Sequence, residues 1–313
     1  MGTPEFAVAS LDMLVRNNYN IVAVVTVPDK PAGRGQQIQE SAVKIYAKEK
    51  GLLILQPEKL KEEKFLSQLR ELNADLQIVV AFRMLPEVVW NMPPLGTFNL
   101  HGSLLPQYRG AAPINRAIMN GEKETGVTTF FLQHEIDTGK ILFTERCPIS
   151  ENDTAGEVHD KLMMIGAELV LKTVKAIEEK SYTEKDQEEL ITKDIVLHHA
   201  PKIFKEDCKI DWNMDYNKVH DHIRGLSPYP GAFTTLQAPD GRMFVMKVFR
   251  TEKDNTASTG SPGKLRTDSK TFISVEASNG SIRLLELQIA GKKRMSASEF
   301  LRGFAIDGSW KML

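Results

Sequence analysis

Hydrophobic positions in the first half of the chain alternate between two spacings. Phe6, Ala7, Leu11, Leu14 and Val15 recur at helical intervals behind Thr3-Pro4-Glu5, which reads as a cap, a first-turn proline and an acid. The run "NIVAVVTV" (20–27) is β-branched and fits a strand buried on both faces. Further strands are predicted at 52–56, 76–82 and 97–101, with helices near 43–50 and 60–72. Strand–helix alternation implies a parallel sheet covered on both faces. "GVTTFFLQ" and "KILFTERCPI" add two more strands, joined through "HEIDTG". Thr154 and Glu157 form a capping-box pattern ahead of one apolar stripe: Val158, Leu162, Ile165, Leu169 and Ile177. The polar "EKSYTEKDQEE" then reads as a linker. From about residue 206 short strands dominate, punctuated by the turns Pro239-Asp240-Gly241 and Asn279-Gly280, as expected of a small barrel.

The 313-residue length suits one large or two ordinary domains, here 1–182 and 206–313 with 183–205 between them. Charged residues make up 26% and the net charge is −1, so bulk charge does not advertise a nucleic-acid partner, although a local basic surface could still bind phosphates. No run approaches the roughly 20 apolar residues of a membrane span. The N-terminus lacks the pattern of an export signal, and the two cysteines, Cys147 and Cys208, form no CxxC pair. A cytoplasmic address is the default expectation.

Candidate chemistry centres on "TFNLHGSLLPQYRGAAP" (97–113). Residues two apart on a strand share a face, so Asn99 and His101 project together, beside the turn at Gly102. In open parallel sheets ligands bind beyond strand carboxyl ends. An amide can donate to a developing oxyanion, and an imidazole can move a proton near neutral pH. Asp137, in "EIDTG", is the carboxylate expected to orient that imidazole. Asp137-Thr138-Gly139 also imitates an aspartic-protease loop, but no second D-[ST]-G occurs to share the proton. Gly33-Arg34-Gly35 lacks the third glycine of a dinucleotide loop. His220 and His222, two apart on a helix, read as a surface pair rather than a metal site. His134, His159 and His198-His199 offer no ligand set, and Asn279-Gly280-Ser281 reads as a turn rather than a glycan acceptor.

Taken together the motifs are more specific than any one of them. "GTPEFAVASLD", "PDKPAGRG", "LQPEKL", "NLHGSLLPQYRGAAPINRAIMNGEKETGVT", "IDTG", "KIDW", "IRGLSPYPGAFT" and "AGKKRMSASEFL" span nearly the whole chain. In them the sequence resembles the methionyl-tRNA formyltransferases, a branch of the folate-dependent formyltransferases. The resemblance implies an α/β fold: a Rossmann-like parallel-sheet domain followed by an OB-like β-barrel. It implies transfer of the formyl group of 10-formyltetrahydrofolate to the α-amine of methionyl initiator tRNA, without a metal. Asn99, His101 and Asp137 match the catalytic trio. Ser103, Leu104, Leu105 and Pro106 match the folate-binding loop, with Phe82, Arg83, Met84 and Leu85 at a pterin-pocket wall. Arg34 lies in the segment resembling the tRNA-acceptor loop. Lys30, Lys292, Lys293 and Arg294, and also Lys202 and Lys205, are expected phosphate contacts. A monomer is expected.

Members of this family carry a short apolar strand before the position of Gly2. Its absence agrees with a chain that opens on a helix, and the natural start is expected about six to ten residues upstream. Two rival readings stay open on sequence alone: a formyltransferase acting on a nucleotide-sugar amine, and a catalytically silent RNA-binding protein.

Overall fold

The computed structural model describes residues 1–32, 37–193, 195–254 and 260–313. It divides into two compact units: Met1–Gly110, Thr125–Cys147 and His159–His199 form the first, and Ala111–Glu124, Pro148–Val158 and Ala200–Leu313 the second.

In the first unit, the expected strands form where β-branched residues cluster: Thr97–His101 has the expected bounds, while Val24–Val25, Ile54–Leu55 and Gln77–Val80 are shorter than their apolar runs suggest. Val24–Val25 pairs in parallel with Ile54–Leu55, and Gln77–Val80 pairs in parallel with Thr97–His101. The two further strands extend this sheet: Glu124–Phe131 joins Thr97–His101 antiparallel, and Ile141–Pro148 follows it. Met1 and Gly2 lie between the two parallel pairs. The Met1 amine donates to the Ile78 carbonyl at 2.7 Å, the Val80 amide donates to the Met1 carbonyl, and the Gly2 amide donates to the Val25 carbonyl. Below them a cavity of about 150 Å³ separates Val24 from Gln77 and Ile78.

The helices Glu5–Arg16, Ala42–Glu49 and Glu63–Glu71 lie near their expected positions. Thr3 does not cap the first of them: Pro4 is its N-cap residue, and the Thr3 carbonyl accepts from Val43 instead. The 25-residue helix Ala155–Glu179 begins with the expected capping box, Thr154 N donating to Glu157 Oε2 at 2.8 Å and Glu157 N to Thr154 Oγ1 at 3.3 Å. Its apolar stripe covers the sheet beneath the candidate site. A Cβ on Gly166 would stand 2.8 Å from Leu100 Cδ2, and Thr173 hydrogen-bonds Thr129. Leu100 therefore faces the helix while Asn99 and His101 face away from it.

Residues 183–205 carry structure of their own. Lys185 and Ile141 exchange backbone hydrogen bonds, and Gln187–Leu190 forms a short 3₁₀ turn whose first residue is buried.

The second unit holds the barrel. Its strands run in the order 265–267, 273–276, 281–289, 243–254, 232–237, 311–312, all antiparallel, and 295–296 pairs with 281–289. A bridge between Lys264 and Lys311, with Met312 N donating to Gly263 O, brings the two ends nearly to closure. Both expected turns are present, at 238–242 and 277–280. The helix Tyr216–Gly225, capped by Asp215, plugs the barrel core with Val219 and Ile223.

The same helix corrects one expectation. His220 is 1% exposed, not a surface residue. Its ring bonds Thr251 and the Glu151 carbonyl, and burial pushes the imidazole below its usual range. Among the described residues no group of three or more His, Cys, Asp or Glu could hold a metal, and no helix is long and apolar enough to cross a membrane.

Candidate active site

All described parts of the site belong to the first unit. Strand Thr97–His101 delivers Asn99 and His101 to the carboxyl end of the parallel pair, where an open sheet binds its ligands. His101 is 6% exposed. Its Nε2 lies 2.9 Å from the Tyr108 carbonyl oxygen. A carbonyl can only accept, so Nε2 carries the proton in the neutral ring, and Nδ1 holds the lone pair. That Nδ1 faces Asp137 Oδ2 at 3.9 Å. The separation is within reach of ion pairing but too long for a hydrogen bond. Nδ1 thus faces a carboxylate nearly as buried as the ring itself.

Asn99 is half-buried, and its Oδ1 is buried without a hydrogen-bond partner. An unmet acceptor of this kind costs about 1–3 kcal/mol. It fits an arriving N–H donor, such as an amine.

Asp137 sits in the left-handed region with φ 56°, in the turn that returns the chain to Ile141–Pro148. Gly139 is obligatory two residues on, because a Cβ there would lie 1.7 Å from the Phe131 carbonyl oxygen. The Asp137 carboxylate accepts from the Gly110 amide at 3.0 Å. Its backbone carbonyl accepts from Gln187 Nε2 at 3.0 Å, and the same nitrogen reaches the Gly139 carbonyl at 2.8 Å. Gln187 Oε1 in turn accepts from Arg109 Nε at 2.9 Å and Nη2 at 2.7 Å. Sequence reasoning missed Gln187, and its only signal would have been an amide inside an otherwise charged run.

The loop 103–106 is held from below. Thr128 Oγ1 donates to the Ser103 carbonyl at 2.7 Å and accepts from the Leu105 amide at 3.2 Å. Ser103 Oγ donates to the Gln107 carbonyl, and Leu105 packs with Phe130 and Ile141, so both side chains shape the loop. Pro106 is also buried, which leaves Leu104 the most accessible of the four. Of 82–85, Met84 is 75% exposed and Leu85 buried. Arg83 donates to the carbonyls of Pro57 and Glu58, with its guanidinium 5.3 Å from the centre of the Phe82 ring.

The expected phosphate contacts divide. Arg34 lies outside the described residues. Lys30 is exposed in the first unit, on the strand Lys30–Ala32. Lys292, Lys293 and Arg294 are exposed in the second unit, but Arg294 pairs with Glu286 and stacks over Phe249 at 4.4 Å. Lys202 lies over the Phe204 ring, and Lys205 is exposed.

Comparison with known proteins identifies the family. Residues 1–174 match the family model "Formyl transferase" and residues 202–305 the model "Formyl transferase, C-terminal domain". The chain is 57% identical over 312 residues to a methionyl-tRNA formyltransferase of Bacteroides thetaiotaomicron, covering 100% of this chain and 97% of the relative. It is 58% identical over 313 residues to that of Phocaeicola vulgatus, again covering 100% and 97%. Among solved structures it is similar in fold to WlaRD, a sugar 3N-formyl transferase, with TM-score 0.63 at 20% identity and coverage of 93% and 97%. An N-formyltransferase from Helicobacter canadensis, bound to folinic acid and dTDP-3-aminofucose, gives TM-score 0.62 at 20% identity and coverage of 90% and 96%. The chain therefore belongs to the formyl transferase family and, within it, to the methionyl-tRNA formyltransferases.

Proposed function

We propose that this protein transfers the formyl group of 10-formyltetrahydrofolate to the α-amino group of methionyl initiator tRNA, the modification that marks it for translation initiation. What supports the reading is that Asn99 and His101 share one strand and His101 Nδ1 faces Asp137 Oδ2, in a chain 57% identical over its full length to a methionyl-tRNA formyltransferase. The sugar formyltransferases share the fold at 20% identity, which carries no argument about substrate. All three reactive side chains are present, which speaks against a silent RNA-binding protein.

The co-substrate would supply a formyl carbon already activated by its folate nitrogen. It would lie against Leu104, the backbone of 103–106, and the wall at 82–85. Asn99 suits the reacting end: its unpartnered Oδ1 accepts an N–H of the amine, while Nδ2 donates to the formyl oxygen as negative charge develops there. A free α-amino group titrates near pH 7.7–8.0, so the ammonium first releases one proton to solvent, and the neutral amine that attacks must lose a second as the amide forms. His101 Nδ1 takes the proton as the new C–N bond forms, since Nε2 is committed to Tyr108. Asp137 then holds the imidazolium, and the same proton passes to the folate nitrogen as the old C–N bond breaks. Every proton gained is returned, so the enzyme ends as it began.

Lys30, Lys292, Lys293, Lys202 and Lys205 serve as phosphate contacts in this reading. The protein acts as a cytoplasmic monomer. Formyl transfer to charged initiator tRNA, measured beside transfer to a nucleotide amino-sugar, tests the proposal. Faster transfer to the sugar would overturn it.

A further inference from the structure

We propose that Gln187 is a positioning residue for the formyl transfer, a buried clamp that sets the Asp137 carboxylate against His101. This rests on the reading of His101 and Asp137 given above.

Four groups close a ring through hydrogen bonds. The Asp137 carboxylate accepts from the Gly110 amide, and the Arg109 side chain beside that amide donates twice to Gln187 Oε1. Gln187 Nε2 returns to the carbonyls of Asp137 and Gly139. Asp137 is thus held at both ends, by its carboxylate through one arm and by its backbone through the other. Its left-handed backbone has no helix or strand to fix it, so side-chain clamps must do so.

The chemistry of the clamp fits one residue type. It needs an acceptor for a guanidinium and a donor pair for two carbonyls on a single planar group, which an amide supplies. A carboxylate would keep the arginine and lose both donors. A lysine would do the reverse. Gln187 is 2% exposed, and both ends of its amide are satisfied. That is how a buried polar group is retained without penalty.

The segment carrying Gln187 also has a reason to lie there. Lys185 and Ile141 exchange backbone hydrogen bonds, which fixes the register of the chain two residues before the clamp. Transfer rates depend steeply on such placement, a displacement of about 1 Å costing on the order of 10²-fold. The clamp touches no reacting atom, so its removal should lower kcat and spare substrate affinity.

The test compares Gln187→Ala, Gln187→Glu and Asp137→Asn, singly and combined, in formylation of charged initiator tRNA, with thermal unfolding measured alongside. The expected result is a kcat lowered about 10- to 100-fold in both Gln187 variants, with KM for tRNA and folate within about twofold. Gln187→Glu keeps the arginine partner and the side-chain volume, so it should remain folded even if Gln187→Ala does not. In the Asp137→Asn background Gln187→Glu should cost less than about threefold, because the carboxylate it positions is already gone. Full additivity in the double variant, or a wild-type kcat in Gln187→Glu, overturns the proposal. A wild-type rate in Asp137→Asn alone would instead overturn the underlying site reading.

Discussion

His101 and Asp137 face each other across 3.9 Å through Nδ1 and Oδ2, while the opposite ring nitrogen of His101 is tied to the Tyr108 carbonyl. The arrangement divides the ring's two nitrogens into one that orients and one that reacts. Asp137 should therefore matter for charge rather than for holding the ring upright. Asp137→Asn, which keeps the side chain's size and loses its charge, is expected to lower kcat on the order of 10²-fold or more. A wild-type kcat would remove Asp137 from the reaction.

The amide and the imidazole are expected to act on separate atoms. Asn99→Ala should lose about 10²–10³ in kcat, the usual cost of one oxyanion donor. His101→Ala should lose about 10²–10⁴, the range for a general base. Circular dichroism and thermal unfolding should show both variants folded. Asn99→Ala removes an acceptor that has no partner to lose.

Thr128 brackets the loop at 103–106 from the buried side, bonding the carbonyl of Ser103 and the amide of Leu105. Thr128→Val keeps the shape and leaves two backbone groups unpaired, each at about 1–3 kcal/mol. KM for the folate co-substrate should rise several-fold or more, with a smaller change in KM for tRNA. Steady-state titration of each substrate reads the difference, and an unchanged folate KM would count against the loop as a folate site.

The cluster at 292–294 gives a salt-dependence prediction. Arg294 is already paired with Glu286, so Lys292 and Lys293 should carry any phosphate contact. Neutralising all three should raise KM for tRNA and make its log–log dependence on salt shallower, by about 1 for every phosphate no longer neutralised. An unchanged slope rules the cluster out.

Glu157 gives a pH prediction in the second unit. Burial pushes its carboxyl up, but the Thr154 amide, the Arg250 guanidinium and the Thr154 hydroxyl outweigh that and bring it down to about 2. A depressed carboxylate stabilises the fold above its ordinary value of 4.5 and loses that contribution as pH falls toward 2. The side chain is 41% exposed, so the effect should stay near the surface-pair range of about 1 kcal/mol or less. Glu157→Gln should unfold less steeply with acid between those limits. Identical acid profiles would refute the assignment.

The strand at 97–101 was legible in sequence because its logic is local: a period of two, a glycine beyond, and a reactive pair on one face. The capping box at Thr154 was legible for the same reason. Gln187 was not, since its partners at 109, 137 and 139 lie far off in the chain, and a lone amide among Lys, Asp and Glu carries the pattern of a solvated stretch. His220 failed similarly, because its burial is decided by Glu151 and Thr251 rather than by its helical spacing to His222. The antiparallel entry of Glu124–Phe131 into the sheet was hidden too, since the length of the connection from His101 fits either direction.

Single-turnover formyl transfer from 10-formyltetrahydrofolate to charged initiator tRNA, by the intact chain and by its His101→Ala variant, tests the central claim most directly. Rapid formylation by the intact chain and a rate at least about 10²-fold lower in the variant is the predicted result. Equal rates in the two, or no transfer by the intact folded chain, would contradict it.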